Sequence, residues 1–244
     1  MAYYTNNLNQ KIAYKYIKGK SPGIIFIHGL NSDMQGLKAL TIEKYARKNH
    51  LSFLRFDCRG HGKSFGKFEN FTISDWKKDL IDLLDNITKG PQIMVGSSMG
   101  GWLMILATKA RKNKVCGLLG LAAATDFGRN MYSDLSQKSK REIQSKGSTK
   151  IKSYDFSYIL TKKFLTEAKK NNILNKPFRF NKPFILIHGL KDVVVSYKMP
   201  KKIMDNTTSK NVQVHYLKSS DHRLSSKKDL KSIIKAIDTI RALI

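Results

Sequence analysis

The run Ile93-Met94-Val95-Gly96-Ser97-Ser98-Met99-Gly100-Gly101-Trp102 constrains this chain more than any other stretch. An apolar segment of strand length meets a serine with glycine two residues away on either side, and passes at once into a helical pattern. In a Gly-x-Ser-x-Gly turn the serine is held in a strained conformation. Only small flanking residues let the strand and the helix close in enough for its hydroxyl to stand above a sheet. Ser98 is therefore the candidate nucleophile.

Apolar, β-rich runs alternate with helical patterns along the rest of the chain, which predicts an α/β fold with a mostly parallel central sheet flanked by helices. The predicted strands are Ile12 to Ile17, Ile24 to His28, Ser52 to Asp57, Gln92 to Ser97, Val115 to Ala122, Phe184 to His188 and Val212 to Leu217. Helical spacing covers Gly36 to Asn49, Ser74 to Thr88 with Ser74 as N-cap, Ser98 to Lys112, Pro200 to Thr207 and Ser225 to Ala242. Between Asp126 and Pro183 no strand pattern is convincing. Residues 126–183 read as a helical cap inserted into a single domain spanning 1–244, above the carboxyl ends of the strands.

Composition narrows the classes. With 244 residues, 41% of them hydrophobic, the chain is long enough to bury a full core. Its longest apolar stretch, Val115 to Ala124, is too short to cross a bilayer. Met1 to Asn9 is polar, with neither a signal-peptide core nor an arginine-rich transit pattern, so the expected location is cytoplasmic. Cys58 and Cys116 make no disulfide scaffold and have no metal-ligand spacing, so a reducing compartment and no metal or cofactor are expected. The net charge of +27 invites a nucleic-acid reading, but there is no recognition motif to support it. A solvated lysine-rich surface accounts for the charge. Within it, Lys138 to Lys182 stands out, holding 13 Lys and Arg against 3 Asp and Glu. That excess suggests a small-molecule ester or acylated substrate of anionic character.

A serine hydroxyl is a poor nucleophile at neutral pH and needs an imidazole to take its proton; the imidazole needs a carboxylate to fix its tautomer. His222, in Ser220-Asp221-His222-Arg223, and Asp192, at the end of Ile185-Leu186-Ile187-His188-Gly189-Leu190-Lys191-Asp192, fill these roles. Asp126, after the preceding strand, and the neighbouring Asp221 compete for the acid position. Backbone N–H groups of Met99, next to the nucleophile, and of Leu30, after His28-Gly29, are the candidate oxyanion donors. His28, His61 and His188 sit at glycine-containing strand ends or loops and read as hydrogen-bonded structural residues, with His50 and His215 ordinary. Trp76 and Trp102 read as core anchors.

The order Ser98, Asp192, His222 is that of α/β-hydrolases. The sequence resembles that superfamily, and within it the mitochondrial palmitoyl-protein thioesterase and acyl-glucuronide esterase family with its bacterial relatives. The likeness is carried by Gly19-Lys20-Ser21-Pro22-Gly23, Lys38-Ala39-Leu40, Arg55-Phe56-Asp57, Gly90-Pro91-Gln92-Ile93, Val95-Gly96-Ser97-Ser98, Gly100-Gly101-Trp102-Leu103-Met104, Phe164-Leu165-Thr166-Glu167-Ala168, His188-Gly189-Leu190-Lys191-Asp192 and Ser220-Asp221-His222-Arg223. It implies hydrolysis of S-acyl thioesters or carboxylic esters with Ser98, Asp192 and His222 as nucleophile, acid and base. Two departures stand out: His28-Gly29 where that family carries Pro-Gly, and Cys58-Arg59-Gly60-His61-Gly62-Lys63-Ser64, nearer the Arg-Gly-His-Gly loop of bacterial esterases. A proline-type peptidase of the same fold and a non-catalytic ligand-binding homologue are the alternatives.

Overall fold

The computed structural model describes residues 1–153 and 156–244, leaving aside the side chains of residues 129, 130, 153 and 156. Among the described residues, ten strands and eight α-helices follow one another along the chain. Eight strands form one sheet: β1 (Ala2–Thr5), β2 (Lys11–Ile17), β3 (Lys20–Ile27), β4 (Leu51–Phe56), β5 (Gln92–Ser97), β6 (Val115–Leu121), β9 (Phe184–Gly189) and β10 (Val212–Leu217). Their spatial order is β1-β2-β4-β3-β5-β6-β9-β10. β2 runs antiparallel to β1 and β4, while every pairing from β4 to β10 is parallel.

Apolar runs such as residues 24–27 of β3 and 184–187 of β9 continue unbroken because both faces of the sheet are covered. Along β3, Ile25 and Ile27 pack into one core with Trp76, Leu80, Leu83 and Leu84 of α2 (Ile73–Asn86) and Leu103 of α3 (Met99–Ala110). Ile24 and Phe26 point the other way, against Ala39, Ile42 and Ala46 of α1 (Leu37–Lys48) and Ile233, Ile237 and Ile240 of α8 (Lys227–Ala242). On β5 and β9 the alternation is the same, with Met94 and Leu186 in the first core and Val95 and Ile187 in the second. α7 (Met199–Asn206) packs on β9 and β10.

The strand order fixes where a site can form. From β3 the chain steps outward to β4, then returns to β5 on the opposite side of β3. At such a reversal the connections leave the carboxyl ends in opposite directions and open a crevice between them. The loop after β3 and the turn after β5 border that crevice.

Three expectations are corrected. The segment between β6 and β9 is not purely helical: besides α4 (Gly128–Met131), α5 (Gln137–Lys146) and α6 (Lys162–Lys170) it holds an antiparallel hairpin, β7 (Ser148–Ser153) with β8 (Phe156–Thr161). β7 carries only one apolar residue, Ile151, between the exposed Lys150 and Lys152, too little for the sequence to register as a strand. β1 was not anticipated, being a short, mostly exposed edge strand with no apolar run. The N-cap of α2 is Thr72, whose N–H donates to Asp75 Oδ2 at 2.9 Å. Ser74 lies inside the helix and its hydroxyl donates to Glu167 Oε2 at 2.6 Å, tying α2 to α6.

Candidate active site

Ser98 follows the last residue of β5 and caps α3, with φ 52° and ψ −119°. A non-glycine residue with positive φ is strained, and the surroundings hold it there. Its N–H donates to Leu121 O at 2.9 Å, and its own carbonyl accepts from Gly101 N at 2.9 Å and Ala124 N at 3.0 Å. The glycines are required by proximity. A Cβ on Gly96 would lie 2.4 Å from the Gly100 carbonyl oxygen, and one on Gly100 would lie 2.2 Å from that of Ile27.

His222 Nε2 is 3.1 Å from Ser98 Oγ, across 124 residues of chain, and His222 Nδ1 is 2.7 Å from Asp192 Oδ2. The other carboxylate oxygen, Oδ1, accepts the backbone N–H groups of Val194 and Val195, each at 2.8 Å. Burial pushes the Asp192 carboxyl up, but the His222 hydrogen bond and the two amides outweigh it and hold the group below the ordinary carboxylate range. It is therefore ionised at neutral pH, and a carboxylate facing Nδ1 keeps the ring proton there. That leaves Nε2 as an acceptor toward the serine.

The competing carboxylates are engaged elsewhere. Asp126 accepts the N–H of Ile173 at 2.8 and 3.1 Å and of Leu174 at 2.9 Å, pinning the turn after α6. Asp221 accepts the N–H of Arg223 at 3.0 Å within its own turn.

The three glycine-adjacent histidines make structural hydrogen bonds. His28 Nδ1 donates to Gly29 O at 2.7 Å and Nε2 accepts from Cys58 N at 3.0 Å. His61 Nε2 accepts from Asn31 N at 3.2 Å. His188 lies beside Asp192, 3.4 Å from its Oδ2, and donates through Nε2 to Val195 O at 3.0 Å. Burial lowers the pKa of all three, so they stay neutral imidazoles. Trp76 and Trp102 are buried core anchors, with Nε1 donating to Arg59 O and to Asn171 O.

Ser98 and His222 open into a cavity of about 710 Å³ that Leu30 also lines. Met99 is buried as the first residue of α3, where a helix leaves its N–H groups without an intrahelical acceptor. One wall comes from the segment between β6 and β9, through Phe127, Met131 and Tyr158; Leu37, Val193 and Val194 belong to the lining as well. Sequence reasoning missed these wall residues, because nothing in their spacing ties them to Ser98. It also missed Lys38, whose Nζ donates to the Arg223 carbonyl beside His222 and so fastens α1 to the histidine loop. Among the described residues no group of His, Cys, Asp and Glu could hold a metal ion, and no helix is long and apolar enough to cross a membrane.

Comparison with known proteins agrees with this architecture. Residues 20–171 match the family described as serine aminopeptidase, S33. Palmitoyl-protein thioesterase ABHD10, mitochondrial, from Pongo abelii is 40% identical over 232 residues, covering 94% of this chain and 76% of the relative. The solved structure of alpha/beta hydrolase domain-containing protein 10 from mouse superimposes with a TM-score of 0.91 at 36% identity, covering 99% of this chain and 98% of that one. Est1E from Butyrivibrio proteoclasticus, solved with ferulic acid bound, shares the fold with a TM-score of 0.84 at 20% identity, over 99% and 98% of the two chains. The ABHD10 relatives are named mitochondrial, which the expected cytoplasmic location does not match. By the family match and by an identity that runs nearly its whole length, the chain belongs to the serine hydrolases of the α/β-hydrolase superfamily.

Proposed function

We propose that this enzyme hydrolyses carboxylic esters or S-acyl thioesters through an acyl-enzyme on Ser98. The observation that carries the reading is the unbroken chain of contacts from Ser98 Oγ through His222 to Asp192. His222 Nε2 takes the hydroxyl proton as Oγ attacks the acyl carbonyl. The Asp192 carboxylate stabilises the imidazolium that forms. The N–H groups of Leu30 and Met99 receive the oxyanion, each contributing on the order of a hundredfold or more to the rate. Collapse of the tetrahedral intermediate expels the alkoxide or thiolate, which takes the proton from His222. A water molecule, deprotonated by the same nitrogen, then releases the carboxylic acid and restores Ser98.

In this reading residues 126–183 act as a cap, and the acyl chain lies along Phe127, Met131 and Tyr158. The names of the thioesterase relatives support an S-acyl substrate, and the basic stretch Lys138 to Lys182 supports an anionic one. The free, buried Cys58 and Cys116 suit a reducing compartment, whether the cytoplasm or the mitochondrion of the named relatives. The test is a panel of nitrophenyl esters and acyl-CoA thioesters of increasing chain length, with Ser98→Ala as control, at low and high salt. Turnover by Ser98→Ala equal to wild type overturns the reading, and an equal salt response on anionic and neutral esters removes the anionic preference. The family description favours a second reading, peptide hydrolysis by the same groups. A prolyl amide turned over faster than any ester would establish it.

A further inference from the structure

The loop between β9 and α7 does more than carry Asp192. Because the Asp192 carboxylate accepts the amides of Val194 and Val195, the backbone is folded onto the acid. The side chains of Val193 and Val194 are left facing solvent, 72% and 56% exposed, although both line the cavity. Tyr197 on the same loop is 53% exposed, and Tyr216 of β10, also exposed, donates to the Tyr197 carbonyl at 3.0 Å. Leu37, another cavity-lining residue, is 54% exposed. Single exposed apolar residues need no explanation, but Leu37, Val193 and Val194 together on the lining of one cavity, with Tyr197 following on the same loop, do.

Cations are interleaved with this cluster. Lys191, Lys198 and Lys202 are exposed within a dozen residues, and Lys198 Nζ stands 6.0 Å from the centre of the Tyr197 ring. Lys201 lies among them, paired with Asp205 at 2.6 Å. Aliphatic and tyrosine side chains interspersed with lysines suit the boundary between lipid and water, where rings and methyl groups enter the headgroup layer and ammonium groups stay at the phosphates. The net charge of +27 adds long-range attraction to an anionic surface.

We propose that this mouth docks on an anionic lipid bilayer, with Val193, Val194 and Tyr197 entering the headgroup boundary and Lys191, Lys198 and Lys202 over the phosphates. The basic stretch Lys138 to Lys182 carries more charge, but the cluster of exposed aliphatic residues is at the mouth. Docked this way, the opening that leads to Ser98 meets the acyl chains, so an acyl substrate enters without crossing water. Only that consequence rests on the hydrolase reading; the docking itself does not.

The experiment is co-sedimentation of the Ser98→Ala protein, which turns over no lipid, with vesicles of phosphatidylcholine alone or mixed with phosphatidylglycerol. The expected result is pelleting with the mixed vesicles only, falling at high salt as screening shortens. Each lysine near an anionic surface strengthens partition about fivefold, so Lys198→Gln with Lys202→Gln lowers vesicle affinity about 25-fold. Val193→Asp with Val194→Asp is expected to abolish pelleting. Equal thermal melts check that these exposed changes leave the fold intact, and if the aspartate pair misfolds the glutamine pair decides. Pelleting that ignores phosphatidylglycerol overturns the proposal. So does wild-type binding by the variants, or a loss produced instead by Lys150→Gln with Lys152→Gln. A dimer in light scattering that the aspartates dissolve, without vesicle binding, assigns the patch to a second copy and also overturns it. Hydrolysis of a short soluble ester by the wild-type protein is measured separately, so failure of the enzymatic reading is seen independently of failure to dock.

Discussion

Two aspartates follow the adjacent strands β6 and β9, and exchanging their oxygens for amides separates catalysis from stability. In Asp192→Asn the remaining side-chain oxygen can still accept from Val194 and Val195, as Oδ1 does at 2.8 Å from each. The new amide then sits where Oδ2 faced His222 Nδ1 at 2.7 Å. An amide N–H there forces Nδ1 to accept, which moves the ring proton to Nε2, the nitrogen 3.1 Å from Ser98 Oγ. A protonated Nε2 cannot take the serine proton. The same exchange in a serine protease lowers kcat by about 10⁴-fold, ~5 kcal/mol of barrier, and a loss of that order is expected. Folding stability should barely move, since both amide contacts survive. Asp126→Asn behaves in the opposite way. Oδ1 accepts from Ile173 at 2.8 Å and Oδ2 from Ile173 at 3.1 Å and Leu174 at 2.9 Å, so on whichever side the asparagine oxygen lies, its NH2 group faces a backbone N–H that a carboxylate oxygen had accepted. That costs about 1–3 kcal/mol of stability and leaves kcat within a few-fold. Initial rates on a short-chain nitrophenyl ester, with urea unfolding of each variant, read both quantities. If Asp126→Asn loses as much kcat as Asp192→Asn, or if Asp192→Asn keeps a tenth of wild-type kcat, the assignment of the acid is wrong.

Other outcomes follow from the same geometry. Ser98→Ala should lose fluorophosphonate labelling completely and about a thousandfold or more in kcat, as should His222→Ala in kcat. His61, held at a pKa of about 3 by burial and by His28, stays neutral in the fold but takes a proton in the unfolded chain below about pH 6.5. Stability attributable to it is therefore intact above pH 6.5 and falls by about 1.4 kcal/mol per pH unit down toward pH 3. His61→Gln should flatten that slope in urea midpoints measured across the range. Gly100→Ala, whose new methyl would meet the Ile27 carbonyl oxygen at 2.2 Å, should destabilise by about 3 kcal/mol or more, seen as a loss of soluble folded protein or a large drop in melting temperature.

The parallel strands could be read from the sequence because residues such as Ile24 and Ile25 are buried on opposite faces, which leaves an unbroken apolar run. The turn at Ser98 could be read because glycine at 96 and 100 answers a local steric demand. What could not be read depends on distant closure. Which aspartate meets His222 is decided by two loops that converge from 30 residues apart, and Asp126 is removed from contention by a contact with Ile173 47 residues away. The β7–β8 pairing escaped notice because β7 holds one apolar residue, Ile151, and the cavity wall of Phe127, Met131 and Tyr158 has no periodicity linking it to the serine.

The donors assigned to the oxyanion need more than the right sequence position; they must be aimed before substrate arrives. A trans peptide directs its C=O and N–H to opposite sides. The Gly29 carbonyl is held by His28 Nδ1 at 2.7 Å, so the Leu30 N–H in the same peptide plane points away from His28. His28 is itself fixed by the Cys58 amide at 3.0 Å, Asn31 N donates to His61 at 3.2 Å, and Met34 N donates to Asp57 Oδ1 at 2.7 Å. Three ties thus run from the loop after β4 to the loop after β3. The loop after β4 is anchored in turn by the buried Arg59–Asp79 pair at 2.6 Å and by Trp76 Nε1 on the Arg59 carbonyl at 2.8 Å, both partners lying on α2. A hypothetical Cβ on Gly29 would stand 3.3 Å from that of Ser98, so the peptide being aimed lies against Ser98. Neutral histidines are essential to the arrangement, because each must accept an amide proton at Nε2, and burial keeps them neutral. In the proposed reaction the Arg-Gly-His-Gly loop supplies no reacting atom and acts through orientation. Loosening it with His61→Gln should lower kcat while leaving KM near its wild-type value.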